Sequence, residues 1–447
     1  MIIKRMERRD RVLLSEATII TMTEEQGSSE LHFKGWVGIE GNRIVMVTRS
    51  KDEAEAFRRT STSLDEIDCR GKVVMPGLIN THCHVAMTLQ RSYADDIPLM
   101  EWLYDYIWPF EGCQSGDDVK LGAELGIVEM LLGGVTTFVD MYWDENRIAE
   151  AANELGIRAL LCPSCLDSNM DKFEEDLKEL LKRCNDRVRA GIGPHAPYTV
   201  SRENLLRCKS LSEEHDIPLT IHLSETLDEV RSVNELSAMT PTKYLDSLGL
   251  LSERTIAAHC VHIDDEDREI LRQRGVKIAH NPTSNMKISS GIAPLAAYEK
   301  DSMHPTIGTD GTCSNNDLDM WEEMRQASFL AKVSSMNPLV LPAYEVLRMA
   351  TRYGAEAIGR GDELGVIKCG ALADLIVIDI LKPHLQPVHN LISNLVYCCK
   401  SSDVESVIVD GRVVVRERKI EGIDLLSLYD RAATAVERIT SEVRAKR

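Results

Sequence analysis

His82 and His84 stand one residue apart at the end of the apolar run 73–84. Side chains on a β-strand alternate faces, so residues two apart point the same way. Two imidazoles on one face can grip a metal ion from a single backbone segment. Farther along, His195, His222, His259 and Asp310 each stand at the end of another short apolar run. Taken singly, a strand-end histidine reads as a hydrogen-bonded structural residue. Recurrence at so many run ends favours a metal centre instead. His82, His84, His222 and Asp310 offer imidazole and carboxylate donors, a set that leaves one position open for water as catalytic zinc sites do. The same donors suit Fe²⁺ as well as Zn²⁺. Glu225 lies three residues past His222, where its carboxyl clears the strand end and can shuttle protons to a substrate. The competing reading of Glu225 is a helix-start cap, since Ser224 and Thr226 flank it.

Such residues need a scaffold that brings distant run ends together. Stretches 73–84, 136–141, 158–166, 189–196, 218–225, 255–263, 276–282 and 305–311 read as buried strands. Charged amphipathic segments such as 172–183, 203–215, 264–274 and 293–300 separate them. That alternation predicts an α/β fold, a (β/α)8 TIM barrel, with chemistry at the C-terminal ends of its strands. His82 and His84 would then end the first strand, His195 the fourth, His222 the fifth, His259 the sixth and Asp310 the eighth. The span 85–134 is too long for one helix and is expected to hold a loop over the mouth. Within it, Trp102 and Trp108 could stack on a planar ligand or simply anchor that loop. Short strands recur at both chain ends, with hairpin turns at Gly41-Asn42 and Asp410-Gly411. They predict a small β-sandwich assembled from residues 1–70 and 360–447 around a catalytic barrel at 71–359, with a helical tail from about 424.

The chain has 447 residues, 43% hydrophobic and 5% aromatic, enough for a large and a small domain built on aliphatic cores. A formal net charge of -19 argues against nucleic-acid or anionic-membrane partners, which want basic patches. The start Lys4-Arg5, Glu7-Arg8-Arg9 mixes signs and leads into no apolar core, so no signal peptide is expected and the cytoplasm is the expected compartment. Twelve cysteines without a secretion signal read as buried thiols rather than a disulfide framework. Cys162-Pro163-Ser164-Cys165 has redox spacing but falls in an apolar strand. His262, three residues past His259, should point away from the site, and His280 should support or line the turn at Asn281-Pro282.

Residues 76–84 (Pro-Gly-Leu-Ile-Asn-Thr-His-Cys-His), 280–285 (His-Asn-Pro-Thr-Ser-Asn) and 308–311 (Gly-Thr-Asp-Gly) resemble motifs of the amidohydrolase superfamily. Together with Met100-Glu101-Trp102-Leu103 and Glu111, they are similar to the branch of methylthioadenosine and S-adenosylhomocysteine deaminases and their chlorohydrolase relatives. The resemblance spans nearly the whole chain. It implies that His82, His84, His222 and Asp310 bind one divalent metal, that Glu225 and Asp310 move protons, and that His259 orients the attacking water. It further implies that His195 contacts the substrate and that Glu111 holds ribose hydroxyls. Binuclear members carry a bridging lysine where this chain has His195, so a mononuclear centre follows. The implied activity is hydrolytic deamination of adenosine-type nucleosides (5′-methylthioadenosine, S-adenosylhomocysteine, adenosine), in a homo-oligomer acting on small molecules. Guanine, pterin or triazine deamination and dechlorination are the alternatives, and a non-catalytic scaffold is a further one. Members that accept S-adenosylhomocysteine hold its carboxylate with arginines after strand three, whereas 163–169 contains none and Lys172 is the nearby cation.

Overall fold

The computed structural model describes residues 11–24, 28, 30–60, 63–98 and 101–446. The charged start at Lys4 to Arg9 and the motif residue Met100 lie outside the described residues. At the centre, Leu78–Cys83, Val135–Tyr142, Arg158–Cys165 and the split fourth strand Val188–Ala190 with Gly193–Pro194 pair in parallel. Leu219–Leu223, Thr255–His259, Lys277–His280 and Thr306–Ile307 form a second parallel run. Two parallel bridges, Ile192 with Leu219 and Cys83 with Asp310, join the runs at both seams. The ring therefore closes, as the expected α/β TIM-barrel architecture requires. Helices such as Met170–Arg183, Arg202–His215 and Asp265–Arg274 occupy the predicted amphipathic segments outside it.

Aliphatic residues plug the end of the ring away from the histidines. Ile79, Val139, Leu160, Cys162, Ile256 and Ala279 pack there with Ala355, Ile358 and Leu364. Each such aliphatic side chain taken from water stabilises the fold by about 1.5–3 kcal/mol. The seal is tight: a Cβ on Gly354 would lie 2.9 Å from Ile79 Cβ.

The expected single strand over 73–84 is two strands. Lys72–Pro76 lies in a different sheet, between Leu375–Asp379 and Arg11–Ile19, and Leu78–Cys83 begins the barrel. Gly77 makes the transition, donating its N–H to Asp374 O at 3.0 Å while Leu78 N–H turns to Gly134 O at 3.0 Å. A Cβ at Gly77 would come within 2.1 Å of Thr136 Oγ1, so the residue type is set by close approach. Continuous apolar character hid the break, because both halves are buried.

Strands from both chain ends make up that other sheet, nine-stranded and mixed. The two expected hairpins are present, with Glu40 opposite Arg43 and Val409 opposite Arg412. The first of these short strands is Arg11–Ile19, with a register shift between Leu14 and Ala17 where Glu16 adopts φ 56°. Arg158, at the foot of the third barrel strand, ties sheet to barrel. Its guanidinium donates to both oxygens of Asp374 at 2.9 and 3.1 Å and to Asp410 at 3.4 Å, with Arg158 and Asp374 almost fully buried.

The span after the first strand is more helical than a lid loop. It runs through a 3₁₀ segment Val85–Gln90, a π-helical turn Trp102–Ile107, the α-turn Trp108–Glu111 and the long helix Gly116–Gly133. Ser115 caps that last helix in a reciprocal box with Asp118. The helical tail is Leu425–Lys446, and it braces the long helix through Arg438–Asp118 at 2.6 Å and Arg431–Glu124 at 2.7 Å. Among the described residues no helix is long and apolar enough to cross a membrane.

Candidate metal-dependent active site

Strand ends at the open mouth bring the expected donors together. His84 Nε2 is 3.1 Å from Asp310 Oδ1, His82 Nε2 is 3.6 Å from the same oxygen, and His222 Nε2 is 3.4 Å from His84 Nε2. His82, His84 and His222 have ligand atoms within 4.8 Å of one another, and so do His82, His259 and Asp310.

The surroundings decide which atoms face inward. His84 presents Nδ1 to Met141 O at 2.5 Å, and His222 presents Nδ1 to His195 O at 2.7 Å. A carbonyl can only accept, so both rings carry a proton on Nδ1 and turn Nε2 toward the centre. Both nitrogens of fully buried His82 lack a hydrogen-bond partner. Burial holds His82 down to about 4 and His222 well below the usual imidazole range, which keeps their lone pairs free. At His84 burial acts downward, but the Asp310 carboxylate outweighs it and raises the ring to about 9. A proton there occupies the role that a cation would take, and metal binding would release it. Unpartnered buried imidazole nitrogens facing a carboxylate fit a divalent ion with mixed nitrogen and oxygen ligation.

Asp310 keeps Oδ1 toward the histidines while Oδ2 accepts from Ser284 Oγ at 2.6 Å and Ser314 Oγ at 2.9 Å. His259 sits beside this group, with Nδ1 2.8 Å from Asn285 Oδ1 and Nε2 3.9 Å from Glu225 Oε2. Its backbone has φ 72°, rare for a side chain with a Cβ and typical of strain kept at a working site. Glu225 is not the helix cap. Thr226 caps Leu227–Ser237 by accepting from Glu229 N–H, and the Glu225 carboxyl lines the cavity. Burial raises its proton affinity, partly opposed by His259.

The cavity holds about 450 Å³. His195 lines it and is fixed through Nδ1 on Thr199 Oγ1 at 2.9 Å. Glu111 lines the wall supplied by the π-turn and the α-turn after it, and burial pushes its carboxyl up to about 7 against hydrogen bonds from Tyr142 and Gln90. Tyr142 OH in turn contacts Gln90 Nε2 and Gln114 Oε1, both at 3.3 Å. Trp102 is an anchor as well as a wall, since its indole N–H reaches Ala94 O at 3.0 Å. Trp108 lines the cavity edge-on to Tyr104. Near the rim, Lys172 Nζ lies 5.3 Å over the Trp143 ring.

His262 and His280 stand outside the cavity. His262 Nε2 contacts Ser290 O at 2.7 Å, and His280 is buried with neither nitrogen partnered. All twelve cysteines are free thiols, Cys162 and Cys165 included. Sequence reasoning did not find Ser284, Asn285, Ser314, Tyr198, Trp143 or Glu229 as parts of this site. Asn285 and Ser284 fall within a quoted motif, so their signal was present but unassigned.

Comparison with known proteins agrees with this geometry. Residues 73–414 match the model of the amidohydrolase family. A 5-methylthioadenosine/S-adenosylhomocysteine deaminase of Desulforamulus reducens is 43% identical over 93% of this chain and 96% of its own. A 5′-deoxyadenosine deaminase of Methanothermobacter thermautotrophicus is 40% identical over 95% of this chain and 99% of its own. Among solved structures, an adenosine deaminase from Xanthomonas campestris with bound zinc superposes with a TM-score of 0.91 at 33% identity, covering 96% of this chain and 98% of that one.

Proposed function

The chain belongs to the amidohydrolase family, and we propose that it is a metal-dependent deaminase of adenosine-type nucleosides. Its substrates in this reading are 5′-methylthioadenosine, S-adenosylhomocysteine, 5′-deoxyadenosine and adenosine, converted to ammonia and the inosine analogue. One observation carries the reading: the Glu225 carboxyl, raised in proton affinity by burial, faces the same cavity as His84, His222 and Asp310, beside which His82 is fully buried. His82, His84, His222 and Asp310 would hold one divalent metal, in our reading zinc. When bound, such a cation lowers the pKa of water and makes hydroxide accessible near neutral pH.

The chain's own groups do the rest. Asp310 Oδ1 accepts the proton of the attacking water, with Oδ2 held by two serines. His259 fixes the direction of attack on the amino-bearing carbon of adenine. Glu225 donates its proton to the neighbouring ring nitrogen, so the ring charge that develops is neutralised. A C–O bond forms, Asp310 passes the proton it accepted to the amino group, the C–N bond breaks and ammonia departs, while the new hydroxyl returns a proton to Glu225. His195 contacts the purine, and Glu111 accepts hydrogen bonds from ribose hydroxyls.

We read the strands from both chain ends, Lys72–Pro76 among them, as one composite domain around the barrel, so the boundary expected at 70/71 falls at Gly77, with the sheet folded into a sandwich over the aliphatic cluster that includes Val12, Val37, Val74 and Val377. Free thiols throughout fit a reducing cytoplasm, and the expected assembly is a homo-oligomer. Ammonia release from a matched panel of ribosides and free bases tests the function. Turnover of ribosides above adenine and guanine is expected; turnover of guanine or a chlorotriazine with none of the ribosides would move the assignment to the other branch members.

A further inference from the structure

Residues 280–285 run from the end of the seventh barrel strand into the short helix Pro282–Lys287. None of them lines the cavity, yet this one turn reaches two groups of the site from behind. Ser284 Oγ donates to Asp310 Oδ2 at 2.6 Å, and Asn285 Oδ1 meets His259 Nδ1 at 2.8 Å. We propose that Asn285 is a positioning residue: its amide oxygen accepts the Nδ1 proton of His259 and thereby leaves the Nε2 lone pair facing the cavity. The proposal rests on the reading of His259 as the group that directs the attacking water.

His259 has a choice of tautomer that His84 and His222 lack. His84 and His222 present Nδ1 to backbone carbonyls, which fixes their tautomer outright. At His259 the partner is an amide side chain, which can accept through oxygen or donate through nitrogen. If Asn285 donated, His259 would carry its proton on Nε2 and meet water and Glu225 as a donor alone. With the oxygen accepting, Nε2 can receive a hydrogen bond from the water it orients. The main chain around Asn285 is held ready for this task. Its N–H bonds Asn281 O at 3.0 Å, its carbonyl accepts from Ser290 N–H at 2.9 Å, and the residue is 1% exposed. The other amide nearby, Asn281 Nδ2, stands 3.4 Å from His259 Nδ1, the longer and weaker of the two contacts. His259 itself is buried at 1% exposure, so packing confines its ring beside Asn285.

Nitrogen-15 spectra of histidine-labelled, full-length wild-type protein read the tautomer directly, with His259→Gln assigning the signal. The expected result is protonated Nδ1 and bare Nε2; bare Nδ1 in the wild type would overturn the proposal without recourse to any variant. Asn285→Leu removes the acceptor and should disperse the tautomer, lowering kcat for methylthioadenosine by about 10–100-fold with KM little changed. Asn285→Asp keeps an oxygen in place and should restore the Nδ1 proton and much of kcat. Equal damage from the Asp and Leu variants, or a loss in KM alone, would contradict the positioning role. Absence of ammonia release by the zinc-loaded wild type would instead sink the function itself, whatever the spectra show.

Discussion

Glu229 Oε2 accepts the main-chain N–H of Glu225 at 2.8 Å, while its Oε1 accepts that of Ser224 at 2.7 Å. One buried carboxyl thus pins the backbone that carries both His222 and the proposed proton donor. Ser224 needs the help, because its φ of 51° is unfavourable for a residue with a Cβ. Glu229→Ala leaves the buried Ser224 N–H unpaired, a cost of about 1–3 kcal/mol. Thermal unfolding should shift down accordingly and kcat should fall, with Glu229→Gln retaining part of both. Unchanged kcat in the Ala variant would show that the loop holds itself.

Glu225→Gln preserves shape and hydrogen bonding but removes the transferable proton. Metal content should stay at the wild-type level while kcat drops by about 10²–10⁴-fold. Full activity in this variant, measured as ammonia release, would take Glu225 out of the mechanism.

The Glu111 carboxyl, pushed up to about 7, loses its proton as pH rises through that value. Ionised, it offers ribose hydroxyls acceptors on both oxygens; protonated, one oxygen becomes a donor. KM for methylthioadenosine should therefore fall as pH rises through about 7, and Glu111→Gln should flatten that dependence. A KM profile of identical shape in wild type and variant would remove the ribose role.

Arg158→Met would strand the Asp374 and Asp410 carboxylates where sheet meets barrel. Breaking a buried pair by removing one partner costs about 3–5 kcal/mol. Denaturant unfolding should show a loss of that order with little change in KM. A loss below about 1 kcal/mol would mean that water reaches the acids.

The barrel and its donors were legible because both obey local rules. Strand periodicity puts His82 and His84 on one segment, and apolar runs ending in His195, His222, His259 and Asp310 mark the mouth. The break at Gly77 was not, because strands buried in two different sheets look alike in one dimension. The π-turn Trp102–Ile107 follows neither helical nor strand periodicity, so the stretch read as a lid loop. Glu229 carried no signal, and Ser284 and Asn285 stood within a motif without an assigned role, for another reason. Their roles arise from side chains meeting distant elements, which no spacing along the chain encodes.

The central claim is a deaminase that uses one divalent metal per chain, and titrating metal-free protein with zinc tests it most directly. Ammonia release from methylthioadenosine should be absent at the start, rise linearly, and level off at one equivalent of zinc per chain, with the hypoxanthine riboside as product. Undiminished release before zinc is added, a plateau at two equivalents, or no ammonia at any zinc level would contradict the account.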